Sequence, residues 1–300
     1  MAKIAVEPTG EAAQPEGGNA SSSPTAHWLA RGDGWAVSDL ACASGPHTRP
    51  FEERHACPVI AIVAAGTFQY RSRAGCDLMT PGSLLLGNAG QDFECGHAHG
   101  TGDRCISFSY TPQFFERLAA EAGAAGAGCG FKMQRLPPMR ILSPLIARAC
   151  SALAGCPDTP WEEIGIQLAA QAVRLDCGLS PGSSDWPRGA VARVTQAVRM
   201  MEGDSDSAHD LTSLAREARL SPYHFLRVFE NLTGVTPHQY LLRVRLRRAA
   251  ILLGTEATKI LDIALDCGFG DLSNFNRTFR AEFGVNPRAY RAQTRSRHQP

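Results

Sequence analysis

The sequence predicts an α+β protein of two domains: an N-terminal β-barrel or jelly roll with helices behind it, and a C-terminal all-α domain holding two helix-turn-helix units. Three observations carry this expectation. Short β-like segments broken by Gly and Pro run from Ala36 to Tyr110. Helical periodicity replaces them after Thr111-Pro112. Between Leu211 and Arg291 one pattern occurs twice.

Length and composition fit that division. Three hundred residues suggest two domains, and 44% apolar residues suffice for a core. No apolar run approaches the length of a membrane span, so a membrane partner is not expected. The net charge of +1 conceals an asymmetry. From Gly189 onward there are sixteen Lys+Arg against eleven Asp+Glu, a net +5. Residues 1–188 carry fourteen against eighteen, a net −4. A basic C-terminal part beside an acidic N-terminal part fits phosphate binding at one end.

Residues 1–26 read as a disordered tail, rich in Gly, Pro, Ser, Ala and Glu and without the apolar centre of a targeting segment. Ten cysteines with no C-x-x-C pair point to a reducing cytoplasm.

Residues 27–125 are expected to form the β domain. Val59–Val63 is an apolar strand, and Gly66–Arg71 alternates with period two. Gly75-Cys76 marks a turn. Met79–Leu86 is a turn feeding another strand, and Ile106–Tyr110 alternates again.

One stretch here suggests site chemistry. Cys95, His97 and His99 fall on one side of a strand, with Asp103 and Cys105 close behind. Thiolate and imidazole are ligands for zinc or iron, so Cys95, His97, His99 and Cys105 form a candidate metal set. His55 and Cys57 offer further ligands. The competing readings are a Cys95/Cys105 redox pair, or a polar loop with a structural cysteine.

Residues 126–182 read as a helical packing or dimerisation segment. Phe114–Ala122 is a short amphipathic helix before it, followed by a small-residue loop over Gly123–Gly130. Ser143-Pro144 starts a helix by cap and first-position proline. Thr159-Pro160-Trp161-Glu162 opens another that runs to about Cys177. Its apolar residues cover more than one face, enough for a core on one side and a second subunit on another. Residues 183–190 are the linker, polar and rich in Pro and Gly.

Residues 191–293 are expected to be the helical domain, with a tail over 294–300. Ala190–Met201 is its first helix. The repeat then follows. From Ser221 onward the copies match at a spacing of fifty: Phe225 with Phe275, Arg227 with Arg277, Phe229 with Phe279, Tyr240 with Tyr290. Upstream the spacing is forty-nine, Ala215 and Ala218 answering Ala264 and Cys267, with Gly270 as the extra residue. Ser221 and Asp271 are N-caps, and Gly234 ends the first unit's second helix. A long helix over Pro237–Leu253 joins the copies and carries Arg243, Arg245, Arg247 and Arg248. Some of these, Arg247 among them, are expected to reach phosphate.

The second helix of such a unit fits the major groove. Its outward residues are Tyr223, His224, Leu226, Arg227, Glu230 and Asn231 in one copy. In the other they are Leu272, Ser273, Asn274, Asn276, Arg277 and Arg280. Arginine can hold guanine, and asparagine adenine, by paired hydrogen bonds.

The motif A-x-x-x-GF-x-x-x-x-x-F-x-R-x-F-x-x-x-x-G-x-x-P-x-x-YR over Ala264–Arg291 resembles the DNA-binding domain of the AraC/XylS transcription regulators. The resemblance covers about the last hundred residues. It implies two helix-turn-helix units joined by a long helix. It also implies DNA contacts from Tyr223, Leu226, Arg227, Leu272, Ser273, Asn276 and Arg277. Leu226 and Leu272 are apolar where that family commonly has polar readers; either they touch a thymine methyl or they contribute little. A looser resemblance, resting on Gly75-x-x-x-x-x-Pro81-Gly82 and on domain order, implies a cupin-like sensor domain. His97-x-His99 also resembles the cupin metal motif, but follows the Pro-Gly turn where cupins place it before.

The resemblance therefore implies a cytoplasmic transcription regulator, most often an activator, and not an enzyme. Its implied partners are promoter DNA, RNA polymerase, a small-molecule effector and a second copy of the chain. No cofactor is expected unless the Cys/His set holds zinc or iron. The rival expectations are a metal-dependent cupin-type enzyme and a metal- or redox-sensing regulator.

Overall fold

A computed structural model describes residues 24–45, 51–100, 102–123, 130–155, 159–179, 186, 189–207 and 209–296. The expected tail, up to residue 23, and most of the expected linker lie outside the described residues. Contacts divide the chain into two compact units. One comprises Met1–Leu136 and Ala169–Ser184; the other comprises Pro137–Leu168 and Asp185–Pro300. The segment anticipated over 126–182 is thus shared between them.

The first unit is a pair of antiparallel sheets. Its strands are β1 (Thr25–Gly32), β2 (Trp35–Cys42), β3 (Phe51–Arg54), β4 (Val59–Gly66), β5 (Phe68–Ser72), β6 (Gly75–Met79), β7 (Leu84–Gly87), β8 (Asp92–Gly96), β9 (Asp103–Tyr110) and β10 (Arg135–Leu136). The larger sheet has the order β1-β2-β9-β4-β7-β10, the smaller β3-β8-β5-β6. Among the described residues no ladder joins the edges, so the barrel alternative gives way to two separate sheets.

Alternation along the strands explains the stacking. Ala61 and Val63 of β4, Leu85 of β7 and Cys105 of β9 project from the larger sheet. Phe68 and Tyr70 of β5 and Met79 of β6 project from the smaller. These residues form one buried cluster between the sheets. Burial of such side chains is the main stabilising term, roughly 1.5–3 kcal/mol for each large one. After β9, α1 (Pro112–Glu121) is capped by Thr111, whose hydroxyl accepts from the Phe114 N–H. Near the end of the unit, the buried Asp176 carboxylate accepts the N–H groups of Lys132 and Met133 at 2.8–3.1 Å.

The second unit is helical. Its elements are α2 (Ser143–Leu153), the first half of α3 (Trp161–Gly178), α4 (Ala190–Gly203), α5 (Leu211–Glu217), α6 (Pro222–Thr233), α7 (Pro237–Thr255), α8 (Ile260–Asp266), α9 (Leu272–Phe283) and α10 (Pro287–Ser296). The expected tail over 294–300 thus begins inside α10. No helix is long and apolar enough to cross a membrane among the described residues.

The duplication seen in the sequence is a duplication of packing. Phe225 and Phe229 lie 5.6 Å apart, and Phe229 meets Tyr240 edge-on at 5.8 Å. Phe275 and Phe279 lie 5.5 Å apart, and Phe279 meets Tyr290 edge-on at 5.4 Å. All six rings are buried. Spacings of four residues stack the two Phe of each pair on one helical face, and the Tyr arrives from the helix that follows. Leu211 is 37% exposed at the first turn of α5.

Candidate nucleic-acid interface and an interior cluster

Two helix-turn-helix units are built by matching local chemistry. Asp210 caps α5, accepting the Ser213 N–H at 2.6 Å. Ser221 caps α6, accepting the His224 N–H at 3.3 Å, and Asp271 caps α9, accepting the Asn274 N–H at 2.7 Å. The turns close alike: Leu220 N–H donates to the Ala215 carbonyl at 2.9 Å, and Phe269 N–H to the Ala264 carbonyl at 3.0 Å. Gly234 and Gly284 end α6 and α9 with φ of 78° and 77°, the left-handed stop that favours glycine.

With the phenylalanines turned inward, the opposite faces of α6 and α9 are wet. Tyr223 is 70% exposed, and Arg227 is exposed beside it, its guanidinium 5.9 Å from the Tyr223 ring centre. Leu226 is half-buried. On α9, Leu272, Ser273, Asn276 and Arg277 are all exposed. Arg277 donates to the Asn274 amide oxygen at 3.1 Å, which lays the guanidinium along the helix surface. These seven residues occupy the faces anticipated for them.

Arg247 does not. Its side chain is 13% exposed and donates to both carboxylate oxygens of Glu202 at 2.8 Å. The Tyr240 hydroxyl adds a third hydrogen bond to Glu202, at 2.9 Å. Burial alone would lower the guanidinium's pKa, but the Glu202 carboxylate raises it above its ordinary value, so the guanidinium stays charged. The phosphate role expected of Arg247 is therefore corrected to an internal ion pair. Its neighbours follow suit. Arg245 donates to the Ser205 and Ser207 carbonyls at 2.6 and 2.9 Å, and Arg243 faces Glu282 at 3.4 Å. The turn leaving α4 presents carbonyls without helical partners, and α7 supplies their donors. Periodicity could not reveal this, because the partners lie about forty residues away along the chain, on either side.

The first unit holds a second constellation. A cavity of about 140 Å³ opens between the sheets, with an apolar wall from Leu40, Val59, Phe68 and Phe93. Its polar lining includes Glu53, His55, Cys57, Cys95, His97, Asp103 and Cys105. His97 Nε2 lies 2.5 Å from Asp103 Oδ1, with both side chains under a tenth exposed. Cys105 donates its S–H to Asp103 Oδ2 at 3.6 Å. Burial would lower the His97 pKa, but hydrogen bonds to Asp103 and Cys42 raise it to about 9. Burial would raise the Cys42 thiol, and hydrogen bonds from His97 and Ser44 bring it below its ordinary value. Burial pushes Cys95 and Cys105 well above theirs.

The candidate metal set read from the sequence is corrected accordingly. Strand β8 ends at Gly96, so His99 stands in an exposed turn rather than in line with Cys95 and His97. Among the described residues, the group whose ligand atoms all lie within 4.8 Å of one another is Cys42, His97 and Asp103. Cys42 was missed because it reaches the cluster through the β2–β9 ladder, where it pairs with Asp103. No local spacing announces such a partner. Asp103 was visible beside the histidines and was passed over as a ligand.

Also lining the cavity, the half-buried His55 shares a 2.8 Å hydrogen bond with the Tyr70 hydroxyl and stacks on Phe93 at 4.2 Å. Burial pulls the His55 pKa down to about 4 and lifts that of Glu53 to about 7. His55 was noted from the sequence only as a further ligand beside Cys57, and Glu53 carried no signal there.

Comparison with known proteins bears on the helical unit. A family model described as a helix-turn-helix domain matches residues 214–293. The HTH-type transcriptional regulator ArgR of Pseudomonas aeruginosa is 34% identical over 103 residues, 34% of this chain and 31% of that one. The HTH-type transcriptional activator RhaS of Yersinia pestis is 35% identical over 132 residues, 44% of this chain and 46% of that one. The crystallised DNA-binding domain of AdpA, in complex with a target DNA, is 32% identical with a TM-score of 0.34; the match covers 35% of this chain and 95% of that domain. This chain spans less than half the length of these curated relatives.

The helical part is thus a double helix-turn-helix domain of the kind carried by transcriptional regulators rather than enzymes. Within that class, the match over residues 214–293 is to a helix-turn-helix domain of AraC type, and it covers the C-terminal part of the chain.

Proposed function

We propose that this protein is a sequence-specific DNA-binding transcription regulator. In this reading α6 and α9 read successive major-groove faces, about 34 Å apart along the duplex. The observation that carries it is the repeated pair of exposed reading faces, each with an arginine two residues before a buried phenylalanine (Arg227 before Phe229, Arg277 before Phe279). Tyr223, Leu226, Leu272, Ser273 and Asn276 complete the contacts. The net charge of +5 from Gly189 onward supports the phosphate term.

Activation, through RNA polymerase at a promoter in the cytoplasm, is the direction we assign; its support is the likeness to the activator RhaS. The β unit senses a small ligand in its cavity, and the chain works as a homodimer. The mixed polar and apolar lining supports the first, and the apolar breadth of α3 the second.

The experiment is selection of bound fragments from the source genome by the full-length protein, followed by footprinting. Two protected major-groove segments about one helical turn apart support the reading. Uniform binding to all fragments, with no enriched sequence, sinks it.

A further inference from the structure

We propose that Cys42, His97 and Asp103 bind a borderline-soft divalent cation of the zinc class on the inner wall of the β-unit cavity. The inference deepens the sensing role proposed above and rests on it for the cation's being the effector; the site itself does not.

Geometry is the first argument. The three ligand atoms lie within 4.8 Å of one another, so they converge on a point. They come from a rigid frame. Cys42 and Asp103 are cross-strand partners at the end of the β2–β9 ladder, and His97 follows β8 of the opposite sheet. A cation held there ties the two sheets together. Donors at about 2.0 Å from a tetrahedral centre stand roughly 3.3 Å apart. The present 2.5 Å between His97 Nε2 and Asp103 Oδ1 is a hydrogen bond. Separating these atoms by under an ångström, with the shared proton released, opens the seat for the metal.

Donor chemistry is the second argument. One thiol, one imidazole and one carboxylate make a set that zinc accepts and that hard cations such as magnesium or calcium do not favour. Cys105 holds the second oxygen of Asp103, the kind of outer contact that orients a metal-binding carboxylate.

Charge is the third. Among the lining residues no lysine appears, and the single guanidinium, Arg54, is 67% exposed and bound to Asp92 at 2.6 Å. Glu53 thus meets no ammonium or buried guanidinium within the cavity, while Asp103 is paired with His97, whose shared proton a bound metal displaces. Three protein ligands leave the fourth position open toward the cavity, which suits exchange more than permanent structural closure.

The test uses the full-length protein after treatment with a chelator. Cobalt(II) is added as the probe, and the thiolate-to-cobalt charge-transfer absorption is recorded, with zinc as competitor. The expected result is an absorption that saturates at one equivalent per chain and is displaced by zinc. Cys42→Ser abolishes it, whereas Cys177→Ser, at an exposed cysteine, leaves it intact. Asp103→Asn separates folding from binding: its metal-free melting temperature falls with the loss of the His97 pair, and the further zinc-induced rise seen in wild type is absent from the variant. No saturable absorption, or one that survives Cys42→Ser, overturns the site. Zinc is then titrated against the DNA fragment selected above. A change of tenfold or more in affinity supports the sensing role. Metal binding with unchanged DNA affinity leaves the site standing and overturns that role. Failure to select any DNA sequence overturns the regulator reading and leaves the cobalt result unaffected.

Discussion

Arg219 and Gly268 occupy the same place in the two helix-turn-helix units and share one left-handed backbone conformation, with φ of 53° and 78°. Each precedes the residue whose N–H closes the turn, Leu220 or Phe269. Arg219 is the sole non-glycine with positive φ among the described residues. A side chain there is strained by about 1–3 kcal/mol, partly offset because glycine has more freedom to lose on folding. Arg219→Gly is therefore expected to raise stability by about 1 kcal/mol in urea denaturation. Gly268→Ala runs the other way. A Cβ would lie 2.8 Å from Asp206 Cα and 2.9 Å from its carbonyl oxygen, both backbone atoms. Loss of about 2–4 kcal/mol is expected.

Arg227→Ala and Arg277→Ala test base reading. Each is expected to lose ~1–3 kcal/mol on the selected sequence and to relax preference at one base pair. Equal losses on selected and random duplex for Arg277→Ala would refute its reading role.

Arg247→Ala separates an internal pair from a phosphate contact. Removing one partner of a buried ion pair leaves Glu202 uncompensated, and a loss of about 3–5 kcal/mol in stability is expected. The salt dependence of DNA binding, measured where the variant remains folded, keeps its wild-type slope. A slope reduced by about one ion would restore the phosphate role.

Glu53 and His55 make opposing pH contributions in the β unit. The Glu53 carboxyl rises from 4.5 to about 7, so the folded chain holds a proton that the unfolded chain releases. Its contribution is full below pH 4.5 and is lost as pH climbs through 7. His55 falls from 6.5 to about 4, so its contribution is full above pH 6.5 and is lost as pH drops toward 4. Between pH 4.5 and 6.5 the two slopes cancel. Glu53→Gln is expected to give stability that rises with pH across this window. His55→Gln should give stability that falls. Hydrogen-exchange protection of β4 and β9, corrected for intrinsic exchange, provides the readout; slopes of the same sign in both variants contradict the assignment.

The sequence showed most of what depends on neighbours in the chain. Caps at Ser221 and Asp271, the stop at Gly234 and the phenylalanine stripes are local signals, and from them the wet faces of α6 and α9 follow. It hid what depends on distant pairing. The arginines of α7 look solvated by period, yet Arg245 meets the turn after α4, Arg247 meets Glu202 within α4 and Arg243 meets Glu282 of α9. Cys42 looks like an isolated thiol until β2 lies against β9. His97 and Asp103 were legible as a neighbourhood, whereas the convergence of their side chains with Cys42 is a product of sheet stacking. Two separate sheets among the described residues, rather than a closed barrel, likewise depend on ladders that strand composition does not specify.

The two aromatic clusters, one around Phe229 and one around Phe279, have a consequence for how this protein can change. Each half fills its own interior, so mutations on one outer surface need not disturb the other. The surfaces have already diverged: tyrosine and leucine flank the arginine on one, serine and asparagine on the other. A single chain with unlike halves in tandem has a front and a back. Each DNA site that one chain covers would carry an arrow, whether or not a second copy binds beside it, and reversing that arrow on the chromosome would turn the bound chain to face the other way.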